Sequence, residues 1–552
     1  MTRERFLAPL VACGATLVLT ALLFWPLPLE LATSQPDSAF TGGQTWGMSH
    51  IARMLVGDLP LSTRTLHLGF PQETKAQFLG WVPALLATPL QPLLGPIASF
   101  NILLLISPVF ATAAAYVWLR KSTAAERWTA ALGALLYASC PYLLSNIASC
   151  NLDKIQIWFY PAWLALAWWM LSSRRGWWAL PVFTLLGSAM VFTEPYPALF
   201  LPLFAGPLLL GRAVLERSWR VAVRSLAALA STGLGMLPAH AYYTRGSIHD
   251  RNMLFEPAAV LRHQTPPALQ EPVATFENLL FGPGGGVPEP TDNVHACTIG
   301  LALLVAVLLL CWRPARGRGT GLALTLLGLV IALGPQLMVG GQWRLEPLTQ
   351  HPFYLPMELL ERAGYPLVLG GQYYRAAPVV FLGVVTLLCA GLSLRSPRIR
   401  LAAWSLVPLS LAQGLWTTGP HWPHPIRPIA SLPLLEQLAE LGEISDGVVV
   451  LPLAVDQVEY GRRASAAAVY RHPSTVVLRH ILLPEMMGHF PWAIALQEDG
   501  VVVYRQEGFR YALFYKHDVS NTDPHWLGYE AHAGMLGEPI LEDEEIAVFE
   551  IR

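Results

Sequence analysis

The sequence predicts a polytopic α-helical membrane protein with about 11 transmembrane helices, followed by a C-terminal soluble mixed α/β extracytoplasmic domain. Three observations predict it. Of the 552 residues, 53% are hydrophobic and only 13% charged, whereas a soluble chain of this size carries roughly a quarter charged residues. Mean hydropathy is +0.43. The apolar residues come in long unbroken runs, not in the period-two alternation of a membrane barrel. Together these exclude a soluble enzyme, a disordered scaffold and a nucleic-acid binder.

The apolar runs are 6–28, 97–119, 128–148, 155–172, 177–192, 196–211, 222–240, 296–312, 319–339, 376–394 and 401–418. Most approach the ~20 residues needed to cross ~30 Å of hydrocarbon. The gaps on the side of the N-terminus hold 17 basic residues, among them Arg120, Lys121, Arg212, Arg224 and Arg395, against Glu4, Glu126 and Glu216. One face is therefore +14 and the other −15, within a net charge of −1. Basic loops stay in the cytoplasm, so the N-terminus is expected inside and the C-terminus outside. Residues 78–94 are apolar enough to span, but counting them would invert every later gap. With Pro83, Pro89 and Pro92 inside, they read as a re-entrant or interfacial outer helix. The first run reads as an anchor, because its core is longer than that of a typical signal peptide.

The six cysteines, at 13, 140, 150, 297, 311 and 389, show no CxxC spacing and no disulfide framework. They read as buried thiols packing as small hydrophobes, with pairing of Cys150 and Cys297 near the outer face as the alternative. Long outer segments cover 29–96, 241–295 and 340–375. The GPGGG stretch at 282–286 follows no strand and opens no helix, so it reads as a loop. No P-loop, GxSxG, HExxH or DxDxDG pattern occurs. His421 and His424 have HxxH spacing without a third ligand nearby, and no metal is expected.

After a Pro- and His-rich linker at 419–428 comes the tail, 420–552. It shows an amphipathic helix pattern at 434–442, a strand-like GVVVLPL at 447–453, helical periodicity near 485–499, a strand-like FRYALFY at 509–515, and a closing strand pair in PILEDEEIAVFEI. Its charge of −10 suits a solvated surface and disfavours anionic lipid or nucleic acid.

Ionisable residues near the membrane are costly and therefore functional candidates. Asp37 lies just beyond the first run, after Pro36 in ATSQPDSAFTGG. It reads as a carboxylate facing a cleft or as a helix-capping Asp. Asp153 and Lys154 occupy the short turn between the third and fourth runs. They read as a local ion pair or as a paired site for substrate hydroxyls or phosphate. Glu194, in FTEPYP, lies where residues 177–211 are too short, at 1.5 Å per residue, for two full crossings. The turn is thus drawn below the surface, with Glu194 either capping a helix or lining a polar cavity. Arg375, in GGQYYRAAP, follows Tyr373 and Tyr374. It reads as a snorkelling anchor beside an aromatic belt or as a phosphate ligand.

Five of these features resemble the GT-C superfamily of lipid-carrier-dependent glycosyltransferases of bacterial inner membranes. They are the acidic residue just past the first span, in PDSAFTGGQTWGMSHIARMLVGDLPLSTRTLHLGFP; an outer helix followed by FNILLLISPVF; the W-x-x-P-x-x-L pattern from Trp158 through Pro161 to Leu164; YYRAAP opening a span; and a soluble outer tail. The resemblance covers about residues 1–420 as architecture. It implies a sugar donor on a polyprenyl phosphate or diphosphate, a glycan, lipid or protein acceptor, and no cofactor. Asp37 would be the catalytic base, with Asp153, Lys154, Glu194 and Arg375 binding substrate. The first loop has no ExD or DxD pair, so no metal is implied. A non-catalytic scaffold of envelope polysaccharide assembly and a lipid-linked-glycan flippase remain as alternatives. The low charge of the spans disfavours the flippase.

Overall fold

The computed structural model describes residues 3–38, 41–57, 62–63, 74–75, 80–244, 299–310, 313–334, 338–339, 342–343, 353–363, 373–418, 423–429, 448–451, 511–516 and 529–550. Most of the outer segments 241–295 and 340–375, Cys297, Cys311, His421, Asp58 and the helical patterns at 434–442 and 485–499 lie outside them.

Each apolar run is occupied by helix. The helices are α1 (Arg3–Leu23), α2 (Thr41–Val56), α3 (Trp81–Ala87), α4 (Gln91–Ser122), α5 (Arg127–Ala138), α6 (Pro141–Ala148), α7 (Phe159–Ser172), α8 (Leu180–Thr193), α9 (Pro195–Leu215), α10 (Trp219–Thr244), α11 (Leu301–Leu310), α12 (Arg318–Ala332), α13 (Pro356–Arg362), α14 (Ala377–Leu392), α15 (Pro397–Ala402), α16 (Leu406–Thr418) and α17 (Tyr529–Leu536). Among the described residues, five helices are long and apolar enough to cross a membrane: Phe6–Leu23, Gln91–Ser122, Gly176–Thr193, Pro195–Leu215 and Trp219–Ala239. The protein is a multi-pass helical membrane protein. The run 128–148, read as one straight span, is broken: α5 and α6 meet at 47°. Pro141 is the cause, because it starts α6 and forces the preceding residue out of helical geometry; Cys140 has ψ 147°. The proline-rich 78–94 stretch is likewise two pieces, α3 and the start of α4, with a further kink at Gly95 (φ 78°).

Two compact units emerge. One comprises Met1–Trp25, Leu104–Tyr242 and Arg251–Pro423; the other comprises Pro26–Leu103, Tyr243–Asp250 and His424–Arg552. The tail is thus grouped with the first outer segment.

In the first unit α14 is the central helix. Every residue from Ala377 to Leu392 is buried, as expected of a helix apolar all round. It packs on α5, α11 and α12, and its Thr386 hydroxyl accepts a hydrogen bond from Trp118 Nε1 of α4 at 3.0 Å. Against α12 the backbones nearly touch, because Gly321 and Gly383 face each other without side chains. This is the small-residue approach by which membrane helices gain packing where water drives nothing. One counted cytoplasmic charge is internal: Arg224 of α10 is buried and donates to the carbonyls of Met170 (2.8 Å), Leu171 (3.3 Å) and Ser173 (2.8 Å). It satisfies the open C-terminus of α7, where a cation also complements the helix dipole.

In the second unit β1 (Ser34–Pro36) pairs antiparallel with β6 (Ile426–Pro428). The stretch read as linker therefore contributes a strand. Short pairs form between β2 (Ser62–Thr63) and β3 (Thr74–Lys75) here, and between β4 (Met338–Val339) and β5 (Gln342–Trp343) in the first unit. The tail holds a four-stranded sheet in the order β7 (Val448–Leu451), β8 (Tyr511–Tyr515), β10 (Ile546–Glu550), β9 (Leu541–Glu542). β7 runs parallel to β8 and the other neighbours are antiparallel. α17 lays Tyr529, Ala533 and Leu536, at helical spacing, on alternate residues Ala512, Phe514, Ala547 and Phe549 of one sheet face.

Substituting Gly383 by Ala tests the α12–α14 contact. The added Cβ would meet the backbone nitrogen and hydroxyl of Thr325 and, at 2.8 Å, the Gly321 carbonyl oxygen. Overpacking of this kind costs about 1–3 kcal/mol. Gly383→Ala is expected to lower the melting temperature of the detergent-solubilised protein. An unchanged melt would mean that the helices separate at no cost.

Candidate functional site

Three turns of the first unit bring charged side chains together. The first ends α6. Cys150 takes the left-handed conformation (φ 59°), while Cys150 N–H donates to the Ile147 carbonyl (2.9 Å) and Asn151 N–H to the Asn146 carbonyl (3.0 Å). This paired closure uses a cysteine where glycine is usual. The chain then reverses through Leu152–Ile155. Buried Gln156 holds that turn, donating to the Leu152 carbonyl (2.8 Å) and Ser107 (3.2 Å) and accepting from Trp158 Nε1 (2.8 Å). Asp153 is buried and Lys154 half-buried on this turn.

The second turn is Glu194 itself, the one residue between α8 and α9. Its extended backbone (φ −156°, ψ 112°) is what Pro195 imposes on its predecessor. It stands at the N-cap of α9, yet its side chain makes no capping hydrogen bond. The carboxylate instead accepts from Arg375 NH1 at 2.5 Å. The third turn, Tyr373–Ala376, precedes α14 and delivers Arg375 to that pair.

Arg375 and Glu194 are both buried, at 8% and 4% side-chain exposure. The guanidinium also lies 4.3 Å from the Tyr196 ring centroid. Arg375 therefore does not snorkel. Tyr373 is 1% exposed, not part of an interfacial belt; a short 3-10 turn points it inward from the start of α14. The capping alternative for Glu194 fails too, because its one strong contact is with Arg375.

Burial pushes the Glu194 carboxyl up to about 6, and Asp153 pushes it further the same way, against Arg375 and Lys154. Desolvation of the charged form outweighs even a direct ion pair here. Three of the predicted residues of this unit, Asp153, Lys154 and Arg375, thus act electrostatically on the fourth, Glu194. Tyr160 of α7 stands within electrostatic reach of Glu194 and Arg375. Glu194 Oε2, Tyr160 OH and Tyr373 OH are buried and have no hydrogen-bond partner among the described residues. The tyrosines were not singled out as site residues from sequence, although Tyr160 sits inside the W-x-x-P pattern and Tyr196 inside FTEPYP; aromatics there read equally well as core.

Asp37 belongs to the other unit. It follows β1, and its N–H donates to the Pro425 carbonyl at 2.8 Å. Asn101 of the FNILLLISPVF segment donates to the carbonyls of Leu31 and Ser34, both at 2.8 Å, and so fixes the chain leading to it. Arg427 of β6 lies 3.6 Å from the Asp37 carboxylate, which is 43% exposed. No sequence pattern announced Arg427, because the contact depends on strand pairing across nearly four hundred residues. Elsewhere in this unit burial lowers the His50 imidazole of α2 to about 4, with Arg53 adding to the shift. Among the described residues no group of three His, Cys, Asp or Glu side chains is placed to hold a metal.

No protein-family model matches the chain, and no curated protein matches it by sequence. Solved structures do match. Arabinofuranosyltransferase AftD from Mycobacteria superimposes with a TM-score of 0.55 at 15% identity, covering 100% of this chain and 40% of that one. The two chains share a fold over the whole of this one. The oligosaccharyltransferase AglB from Archaeoglobus fulgidus, in complex with an inhibitory peptide and a dolichol-phosphate, gives a TM-score of 0.46 at 11% identity over 93% of this chain and 70% of that chain. This chain thus spans about two fifths of AftD.

A double-mutant cycle checks the buried pair. Arg375→Gln leaves Glu194 buried without its cation, and breaking such a pair from one side costs about 3–5 kcal/mol. The double variant Glu194→Gln/Arg375→Gln is expected to regain much of that loss in thermal unfolding. If it is no more stable than the single variant, the two side chains are not coupled.

Proposed function

We propose that this protein is a membrane glycosyltransferase. It transfers a sugar from a polyprenyl phosphate or diphosphate carrier to a glycan, lipid or protein acceptor of the cell envelope, on the outer face of a bacterial inner membrane. The observation that carries this reading is the match of the whole chain to the fold of AftD, an arabinofuranosyltransferase. The clustered charges at three turns support it, as does the position of Asp37 just past the first span.

In this reading Asp37 takes the proton of the acceptor hydroxyl as general base. The acceptor oxygen forms a bond to the anomeric carbon while the bond from that carbon to the phosphate oxygen breaks. The electron pair leaves with the phosphate, and the single displacement inverts the anomeric centre. No acid is needed for the leaving group, because phosphate departs as a stable anion. Lys154 and Arg375 stabilise its developing charge, and Asp153 and Glu194 accept hydrogen bonds from sugar hydroxyls. The N-terminus is cytoplasmic, the eleven apolar runs each cross, and the tail lies outside.

Asp37→Asn keeps shape and hydrogen bonding but removes the base. Turnover of a lipid-linked sugar is expected to fall about 10²–10⁴-fold with donor affinity retained. Stability is expected to change by less than about 1 kcal/mol, since a half-exposed ion pair contributes little. Full activity of the purified variant would remove Asp37 from the reaction. The topology has its own measurement. A reporter fused after Arg552 is expected to report an extracytoplasmic location, and one inserted at 313–318 a cytoplasmic one; a cytoplasmic tail overturns the outer-face site.

A further inference from the structure

The geometry points to Glu194 as a competitor for the phosphate's own seat: a singly charged phosphodiester binds Arg375 only when Glu194 has taken up a proton and released it. This rests on the donor reading above and adds a coupling which that reading does not require.

The Glu194 carboxylate already occupies Arg375 NH1 at 2.5 Å. The guanidinium has five N–H donors, so the competition is for its charge rather than for one nitrogen: a charged carboxylate in contact already neutralises the cation that a phosphate would need. The cluster is also balanced. Two cations, Arg375 and Lys154, face two anions, Glu194 and Asp153, in a setting where Glu194, Asp153 and Arg375 are each less than 10% exposed. Adding an anion to a neutral, dry cluster is unfavourable, because charge taken from water needs a compensating partner. Protonating Glu194 supplies that compensation. It removes one negative charge, leaves the guanidinium's charge to the phosphate, and gives Glu194 an O–H donor beside its remaining acceptor capacity.

The other groups facing Glu194 are few. Arg375 comes from the 373–376 turn, Asp153 and Lys154 from the turn after α6, Tyr160 from α7, and Tyr196 from its own helix. α8 and α12, which also pack on α9, carry no ionisable side chain between Leu180 and Thr193 or between Gly319 and Ala332. Two buried groups await a partner among the described residues: Glu194 Oε2 and the Tyr160 hydroxyl. A phosphodiester oxygen beside the guanidinium would give the Tyr160 hydroxyl an acceptor. Burial has already raised the Glu194 carboxyl to about 6. The proton is therefore within reach near neutral pH, and a bound anion raises its affinity further.

The sign follows from linkage. Above the carboxyl's own titration, anion binding must take up a proton, so affinity weakens as pH rises, by up to about tenfold per pH unit. Below it Glu194 is already neutral and affinity is flat.

The probe is the methyl phosphodiester of farnesol, singly charged between pH 5 and 8, so its own ionisation contributes nothing. Its binding to the purified full-length protein is measured by calorimetry at several pH values, each in buffers of different ionisation heat. Wild type is expected to bind up to about tenfold more weakly at pH 8 than at pH 7, to level off below about pH 6, and to take up a fraction of a proton approaching one on the sloping limb. Glu194→Gln, neutral at every pH, is expected to bind at the wild-type low-pH level throughout, with no proton uptake.

A flat wild-type profile without proton uptake overturns the coupling and leaves the donor reading standing. A slope that persists in Glu194→Gln overturns it as well, since the proton then goes elsewhere. Absence of binding in both proteins at every pH overturns the coupling and the donor reading together. Should Glu194→Gln fail to fold, the buffer dependence of the wild-type heat decides on its own.

Discussion

The buried ion pair between Glu194 and Arg375 is the constraint around which the first unit is arranged. Each partner sits where a helix begins, Glu194 before Pro195 of α9 and Arg375 before Pro378 of α14. A proline in the first turn ends one element and starts the next without sacrificing a hydrogen bond. The residue before it is held extended, and in Glu194 that geometry turns the side chain away from its own helix end. The same covalent rule that breaks the helices thus frees a carboxylate to meet a cation 181 residues later. The close packing of α12 on α14, allowed by Gly321 and Gly383, anchors the helix that follows Arg375.

Much of this was legible in the sequence because it follows from one-dimensional rules. Apolar runs locate helices, and helices stand where the runs are. In the tail, the short β-branched run became β7, FRYALFY became β8, and the closing segment became the β9–β10 pair. The shortness of residues 177–211 for two crossings indicated a recessed turn, and Glu194 is buried there. What stayed hidden depends on distance in space. The partner that occupies Arg375 is set by helix packing, and no local pattern distinguishes a guanidinium that snorkels from one that turns inward. The inward tyrosines were masked for a related reason: in a chain with 17 tyrosines, an aromatic near a helix end fits a membrane belt as well as a buried site. The break between α5 and α6 is encoded by Pro141, but the apolar run 128–148 continues through it, and hydropathy alone does not register a change of direction.

The second unit shows how remote segments build one local structure. Asp37 is held from three sides: by Pro36 before it, by Asn101 grasping the carbonyls of Leu31 and Ser34, and by β6, which brings the Pro425 carbonyl and Arg427. An isolated two-strand pairing is marginal in water, so the side-chain bonds from Asn101 matter to it. Arg427 at 3.6 Å from a half-exposed carboxylate contributes little stability, but it places a cation beside the proposed base. The stretch after the last span, with its prolines and a single arginine, therefore belongs to the surroundings of the proposed base and does more than connect it to the tail.

The two carboxylates at the centre of the proposed function differ in their surroundings. Asp37 is 43% exposed and faced by one cation. It is open to water, as a base that turns over must be. Glu194 is buried, tied to a guanidinium, and raised by desolvation and by Asp153. A proton that enters there shifts the charge of the whole cluster by one, leaving two cations facing one anion. An exposed acid suits proton abstraction from an acceptor, and a buried, balanced acid suits control over which anion a guanidinium receives. The proposed division of labour thus follows the difference between a half-exposed carboxylate and a buried one.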